Sequence, residues 1–562
     1  MRRFSMKQRR ASRAVQGAQD LKADANTRHR SGSRRRKCRS LLSIAAFLGA
    51  VFALLLLFQS RKTNLSKHKA LVSESEIAPL QLRVAEVVQK EFDKYTAAHR
   101  LGRLLSFPTV SRRDMPDHLE DRRSVDGLIR FLRGSEGFPL ASRFLNWELV
   151  GRNLSLLITW KGKNPTLDPI LLISHLDVVP VAPGDIPLWH YHPFSGFLDE
   201  STGYLYGRGA LDTKATAAGP LEAVETLLRF YGKDFCPERT IILAFGHDEE
   251  VGGRLGAGQL ASELKQRNIN PEYCLDEGGS VTRNVLPGIS RPVALIGVSE
   301  KGWCALNITI TSRGGHSSIP SKFGTVIDQA SRLVLAVGSA RLPRSINPPV
   351  SDLIDYLAPH LRYPSRFIAS NARLFSSLLR MLAERSDEWM AQMGSTFAFT
   401  MIRGGVAQNV IPGSVSLLQS WRTNSNMKNV TEFVKNIIRH TPSLRNKLFH
   451  IHVREHGSCE PPSPVSKLDE YFRKIQRYVA LAYGLETISA PFEWLGGTDS
   501  KWYISNGVGK RHYRFGPIFL DGNDDFKRIH STNERIHVDT YEKMVRFYIA
   551  LILDASKSNV TR

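Results

Sequence analysis

The period of the apolar positions changes several times along the chain, and each change predicts an element. Residues 41–58 are apolar throughout apart from Ser43 and carry no charge. As a helix rising ~1.5 Å per residue, that run is long enough for the hydrocarbon of a bilayer. Residues 61–80 are polar and read as a stalk. Over 84–105 the apolar residues recur at helical spacing. Residues 169–181, PILLISHLDVVPV, are an apolar run closed by turn signals, the pattern of a buried strand, and 240–245, TIILAF, repeat it. Residues 215–231 and 259–267 read as helices, and another strand begins at 273–275. Strands of this kind alternating with helices predict an α/β sheet.

Between about residues 302 and 455 the rhythm differs. An alternating strand at 303–311 is followed by a helix at 325–338, strands at 396–401 and 415–421, a helix at 430–439 and a strand at 448–453. That order, βαββαβ, is the ferredoxin-like one, with a helical insertion at roughly 350–393. Helix and strand return from 467, ending in a helix at 539–554. The expected organisation is a tail (1–40), a membrane span (41–60), the stalk (61–80), and an α/β domain in two halves (81–300 and 458–562). A smaller α+β domain (301–457) interrupts it.

Composition changes this picture little: 42% hydrophobic and 23% charged residues in 562 are globular values for more than one folding unit. Charge changes it more. The formal charge of +24 suggests nucleic acid until it is located, but residues 1–39 hold 14 Lys/Arg against Asp20 and Asp24, half of the excess. No nucleic-acid partner is expected; the tail suits anionic lipid. Basic residues concentrated before the span keep the N-terminus cytoplasmic. The long basic stretch, with no Ala-x-Ala after Phe58, reads as a signal anchor rather than a cleaved signal. A single-pass type II membrane protein is expected, its bulk lumenal (secretory pathway, vacuole or lysosome) or extracellular. Sequons at Asn64, Asn153, Asn307, Asn429 and Asn559 agree with a glycoprotein. Cys38, Cys236, Cys274, Cys304 and Cys459 show no CxxC spacing, which leaves room for one or two bridges among the last four.

Candidate chemistry sits where apolar strands end, the place open α/β sheets hold ligands. His175 and Asp177, two apart, share a face; such a His can ligate a metal while the carboxylate holds it. A glycine-rich turn delivers Asp212 to a helix start, as an N-cap or as a carboxylate bridging two metals. Asp248, Glu249 and Glu250 lie just beyond TIILAF, after Gly246 and His247, and three adjacent acids repel unless protonated or met by cations. Asp276 and Glu277 follow another strand start, and His530 precedes the last helix. Mixed N/O donors of this kind suit zinc, or cobalt or manganese, rather than calcium. The inventory matches a two-metal hydrolase, which needs a bridging carboxylate, a His and a carboxylate per ion, and a carboxylate base.

The segments SHLDVVPV, YGRGALDTKA, DEEVGG, LDEGG, SEKGW, GGHSSIP, GGVAQNVIP, GGTDSKWY, YRFGPI and DFKRIHSTNE run from 174 to 534. Through them the chain resembles the co-catalytic zinc aminoacylase/carboxypeptidase family, in the branch of carboxypeptidase S and the N-fatty-acyl-amino-acid synthase/hydrolase. The resemblance implies a zinc-peptidase catalytic domain interrupted by a ferredoxin-like lid or dimerisation domain, and two zinc ions per chain. His175 with Glu277 or Asp276 would hold one ion, Glu250 and His530 the other, and Asp212 would bridge them. Glu249 would be the general base and Asp177 would orient the site. His316 would stabilise the oxyanion, while Asn409 and Arg422 would recognise substrate, Arg422 through its free carboxylate; Thr498 and Asp499 would line the pocket. The implied activity is a metallocarboxypeptidase acting on short peptides; the alternative is N-fatty-acyl-amino-acid hydrolysis or synthesis. The resemblance also allows a homodimer. A catalytically inactive, receptor-like membrane protein, the reading from another class, should have lost a ligand or the base, and none is missing. Ser531 departs from the glycine usual after the last His.

Overall fold

The computed structural model describes residues 70–425, 427 and 429–556. The expected tail, membrane span, Cys38, Asn64 and Asn559 lie outside them. Among the described residues no helix is long and apolar enough to cross a membrane.

The helical spacing over 84–105 belongs to two helices, Glu74–Glu91 and Lys94–Leu105. Asp93 separates them: its backbone is extended and its carboxylate accepts the Thr96 N–H at 2.8 Å, opening the second helix. The first helix begins inside the expected stalk, where a Glu76 oxygen accepts the Ser73 N–H at 2.9 Å and Ile77 and Leu80 are buried. Residues 61–80 are therefore not all stalk.

The main sheet has eight strands, and four of them form a parallel centre. Ile241–Gly246, Ile170–His175, Tyr273–Arg283 and His512–Asp521 run side by side in that order. Ser155–Trp160 and Asn146–Val150 extend it antiparallel beyond Ile241–Gly246. On the far side Val293–Glu300 meets His512–Asp521 antiparallel and Ile488–Trp494 closes the edge in parallel. Alternation sorts each strand between two cores. Leu172 and Leu243 face one that holds Leu221 and Leu227 of helix Lys214–Tyr231 and Phe547 and Leu551 of helix Val538–Ala555. Leu171, Ile173, Ile242 and Ala244 face another that holds Leu260 and Ala261 of helix Ala257–Gln266. Burial on both faces is why these strands read as unbroken apolar runs.

The smaller sheet has its own apolar core, around Leu306, Ile308, Leu333, Val415, Trp421 and Val434. Its strands lie in the order Thr396–Gly404, Ser414–Thr423, Gly302–Thr311, His450–Glu455, all antiparallel, with helices Val326–Gly338 and Val430–His440 in the connections. In chain order that is 2-3-1-4, the ferredoxin-like arrangement. The insertion is helical, with helices Val350–Leu357, Ser365–Ser370, Ser376–Ala383 and Asp387–Met393. Cys304 and Cys459 form a disulfide, while Cys236 and Cys274 are free. Of the described sequons, Asn153 is exposed, Asn429 is an exposed helix cap, and Asn307 lies within a strand with its side chain bonded to Ser416.

Candidate active site

The parallel centre of the sheet assembles the site. His175 closes its strand, in register with Gly246 of the neighbour. The next turn, Glu249–Val251, follows two residues later. Asp177 ties these two strand ends together: its carboxylate oxygens accept the N–H groups of Glu249 and Glu250 at 3.0 and 3.1 Å. The Asp177 backbone carbonyl lies 3.0 Å from His175 Nδ1, and one carboxylate oxygen lies 3.3 Å from the same nitrogen. Despite full burial, the His175 interaction holds the Asp177 pKa below the usual carboxylate value. A proton kept on Nδ1 leaves the Nε2 lone pair free to ligate.

Nε2 of His175 faces Asp212 Oδ1 at 3.2 Å and Glu277 Oε1 at 3.4 Å. The other Asp212 oxygen, Oδ2, lies 3.0 Å from His530 Nε2, which also faces Glu250 Oε1 at 3.1 Å. Two donor groups result, His175–Asp212–Glu277 and Asp212–Glu250–His530, each with its ligand atoms within 4.8 Å of one another. Asp212 belongs to both and turns one oxygen to each. Asp276, the alternative to Glu277, faces away. It accepts from Ser500 N and Oγ, both at 2.8 Å, and from the Glu277 N–H at 2.9 Å. It is in neither donor group. The reason is that strand Tyr273–Arg283 runs on through both acids instead of ending before them, so neighbours point to opposite faces.

The electrostatics fit a pair of divalent cations. Burial raises the proton affinity of Glu249 well above the carboxylate range, with Glu277, Asp499 and Glu250 adding to it against the pull of His175. Burial pushes Glu277 up to about 7 against the same histidine. His530 is pushed up to about 10 by its bonds to Asp212 and Glu250. For His175 burial opposes the charge, but the Glu277 carboxylate and the bonds to Asp177 and Asp212 outweigh it and raise the pKa well above normal. Among the described residues no Lys or Arg pairs with Glu249, Glu250 or Glu277, so cationic compensation falls to the two histidines. A cluster this acidic, with N/O donors in two overlapping sets, can hold metal ions.

The donor groups open into a cavity of about 1060 Å³, at the upper end of the ~300–1,000 Å³ usual for small-molecule sites. Glu249 lines it, as does Arg422, which is half-buried; among the described residues no hydrogen bond or ion pair engages its guanidinium. Trp494, Ile518, Leu520, Phe526 and Ile529 give the cavity an apolar portion. His316 and Asn409 are near each other but not in this cavity. Strand Gly315–His316 pairs with Val410–Ile411, and the Asn409 carbonyl accepts the Ser317 N–H at 3.0 Å. That ribbon projects from loops of the smaller sheet, so both residues are exposed, beside Ile319 at 82% and Val406 at 89% exposure. Thr498 and Asp499 do not line the cavity either. Thr498 Oγ1 donates to Glu300 at 3.0 Å, and Asp499 is buried beneath the DEEVGG loop. A Cβ on Gly253 would lie 2.0 Å from Asp499 Oδ1, and Gly253 has φ +70°; both conditions call for glycine there.

Two supporting residues were given no role from the sequence. Glu534 is buried, and its Oε1 accepts the N–H groups of Gly209, Leu211 and Asp212 at 3.1, 2.8 and 3.1 Å while Oε2 takes Arg208 at 2.7 Å. It thereby shapes the loop that presents Asp212, and its place four residues after His530 was the available hint. His118 lines the cavity with Nδ1 2.8 Å from Asp248 Oδ2, and nothing around it in the sequence marks it.

A family model described as peptidase family M20/M25/M40 matches residues 171–554. The N-fatty-acyl-amino acid synthase/hydrolase of Homo sapiens is 34% identical over 74% of this chain and 80% of its own length. A probable carboxypeptidase S-like protein of Dictyostelium discoideum is 30% identical over 82% and 85%. Both branches implied by the motifs are thus among the relatives. Among solved structures, an M20 family metallo-carboxypeptidase of Sulfolobus solfataricus superposes with a TM-score of 0.57 at 17% identity, covering 81% of this chain and 98% of that one. Human carnosine dipeptidase 1 gives 0.55 at 17%, covering 86% and 99%. At such identity these two speak to the fold alone.

Proposed function

The chain belongs to peptidase family M20/M25/M40 and is a hydrolase of that metallopeptidase fold; on that premise we propose that it is a dinuclear zinc enzyme cleaving the amide bond next to a C-terminal amino acid. The observation that carries this reading is Asp212, one carboxylate oxygen turned to each of two His-plus-carboxylate groups. His175 and Glu277 would hold one ion, Glu250 and His530 the other. Zinc bound there supplies Lewis-acid polarisation of the amide carbonyl and acidifies water. Glu249 takes a proton from the attacking water and delivers it to the departing amide nitrogen, so water and amide become a carboxylic acid and a free amine. Asp177 keeps His175 in its ligating tautomer. Arg422, half-buried without an ion pair, receives the substrate's free carboxylate.

His316 and Asn409 serve the oxyanion and substrate from outside the cavity, reaching it by closure of the smaller sheet or from a second copy in a homodimer. The exposed Ile319 and Val406 near them in sequence favour the second copy. Mixing inactive His316→Ala and Glu249→Gln proteins restores activity if His316 acts across a dimer, and restores none if it acts within its own chain.

One observation favours an N-fatty-acyl amino acid over a short peptide: the size and apolar portion of the cavity. Hydrolysis assays on Gly-Leu-type dipeptides and N-oleoyl amino acids, with zinc removed by chelator and restored, decide between them. Zinc-loaded protein inert on both classes refutes the substrate reading. For localisation the proposal is a type II membrane protein, resting on the apolar 41–58 run and the basic tail; the Cys304–Cys459 bridge supports an oxidising lumenal or extracellular setting.

A further inference from the structure

The helical insertion and the 286–289 loop line a second cavity, about 510 Å³ in volume and open to solvent, which shares no lining residue with the catalytic one. Ile354, Leu357, Ile368, Leu379 and Trp389 make its body apolar. It opens to solvent at Tyr363 and Leu382, which line it yet are 61% and 41% exposed. Leu374 and Met381 nearby in sequence are exposed as well. Two further lining residues, Arg362 and Arg385, are exposed, and among the described residues neither guanidinium has a hydrogen bond or ion pair.

An apolar chamber with unpaired guanidinium groups on its solvent side selects a ligand that is hydrocarbon at one end and anionic at the other. A peptide would demand hydrogen-bond partners for its backbone, and the polar side chains lining the chamber are few. From this we infer that the insertion binds a single long-chain fatty acid, its chain among Ile354, Leu357, Ile368 and Trp389 and its carboxylate held by Arg362 and Arg385. The site is separate from the hydrolytic centre and stands whether or not the substrate reading above holds. A bilayer lipid presents the same combination of acyl chain and anion, but a chamber of about 510 Å³ takes one acyl chain rather than a bilayer lipid's two, which commits the inference to the free acid.

The test uses the full chain, with cis-parinaric acid as fluorescent probe and a diazirine-bearing palmitate as photolabel. Oleate should displace the probe, and the label should fall on peptides within 286–289 or 350–393. The Arg362→Ala/Arg385→Ala variant should weaken oleate binding by at least ~10-fold, the usual scale for losing charge-assisted hydrogen bonds. Ala383→Phe, which fills the chamber from its wall, should abolish labelling there while zinc binding at the catalytic centre persists. Labelling confined to peptides of the catalytic cavity overturns the inference, and so does oleate affinity unchanged in the arginine variant. Oleyl alcohol displacing the probe as well as oleate removes the anionic half of the argument. Binding only to phosphatidylserine vesicles, with no displacement by free oleate, makes the patch a membrane surface and overturns the cavity site.

Discussion

Replacing Asp177 by asparagine preserves its shape and removes its charge, which isolates the role of one buried carboxylate. Its two oxygens accept the N–H groups of Glu249 and Glu250 at 3.0 and 3.1 Å, and one of them lies 3.3 Å from His175 Nδ1, which also faces the Asp177 backbone carbonyl at 3.0 Å. An amide offers one acceptor oxygen and an NH₂ group, so in either orientation a buried N–H meets another donor. Leaving one such donor unmet costs ~1–3 kcal/mol. The strain falls on the turn that carries Glu249 and Glu250, and His175 loses the carboxylate charge beside Nδ1 while keeping the backbone carbonyl that fixes its tautomer. Outer-sphere losses of this kind typically weaken metal binding ~10–100-fold, and kcat/KM should fall at least as far. Competition against a fluorescent zinc chelator measures the affinity, with circular dichroism checking that the variant folds. A folded Asp177→Asn protein with parental zinc affinity and parental activity refutes the assignment and reduces Asp177 to a cap of the 249–251 turn.

Other outcomes follow from the same geometry. Glu249→Gln should cut kcat by ~10²–10⁴, the usual worth of a general base, while both zinc ions still bind by elemental analysis; full activity would move the base elsewhere. Arg422→Ala should raise KM ~10–100-fold for substrates ending in a free carboxylate and leave their amidated analogues nearly unchanged, so equal losses on both would contradict the carboxylate contact. Burial together with the neighbouring Arg514 lowers the pKa of the buried His512 to about 3. Because the unfolded imidazole titrates near 6.5, the unfolded chain binds the extra proton first, and stability is lost as pH falls below 6.5. The loss should be ~2 kcal/mol by pH 5, and denaturant titrations of His512→Leu should show a shallower acid slope than the parent.

Much of the fold was legible because burial on both faces leaves a plain mark: PILLIS and TIILAF read as buried strands, and the βαββαβ order reads directly from alternating periods. Boundaries were less legible where one residue decides them. Asp93 divides what spacing presents as one helix, because a side-chain oxygen competes for a backbone N–H there. The strand at Tyr273–Arg283 continues through Asp276-Glu277-Gly278-Gly279, a stretch whose composition suggests a strand end.

The site divides the same way. His175, Asp212, Glu249, Glu250 and His530 could be named from motifs, because metal-binding and acid–base chemistry restricts which residue types serve. The choice between Asp276 and Glu277 could not, since adjacent strand residues are equivalent until the sheet has two distinct faces. Nor could the exposed position of His316 and Asn409, which depends on how a short ribbon leaves the smaller sheet. What the sequence by itself determined was therefore the kind of chemistry and the order of elements, both local properties of residue type and period. What only the tertiary structure decided was which oxygen faces which nitrogen across 355 residues, from His175 to His530, because that depends on strand register and on packing between segments that no local pattern encodes.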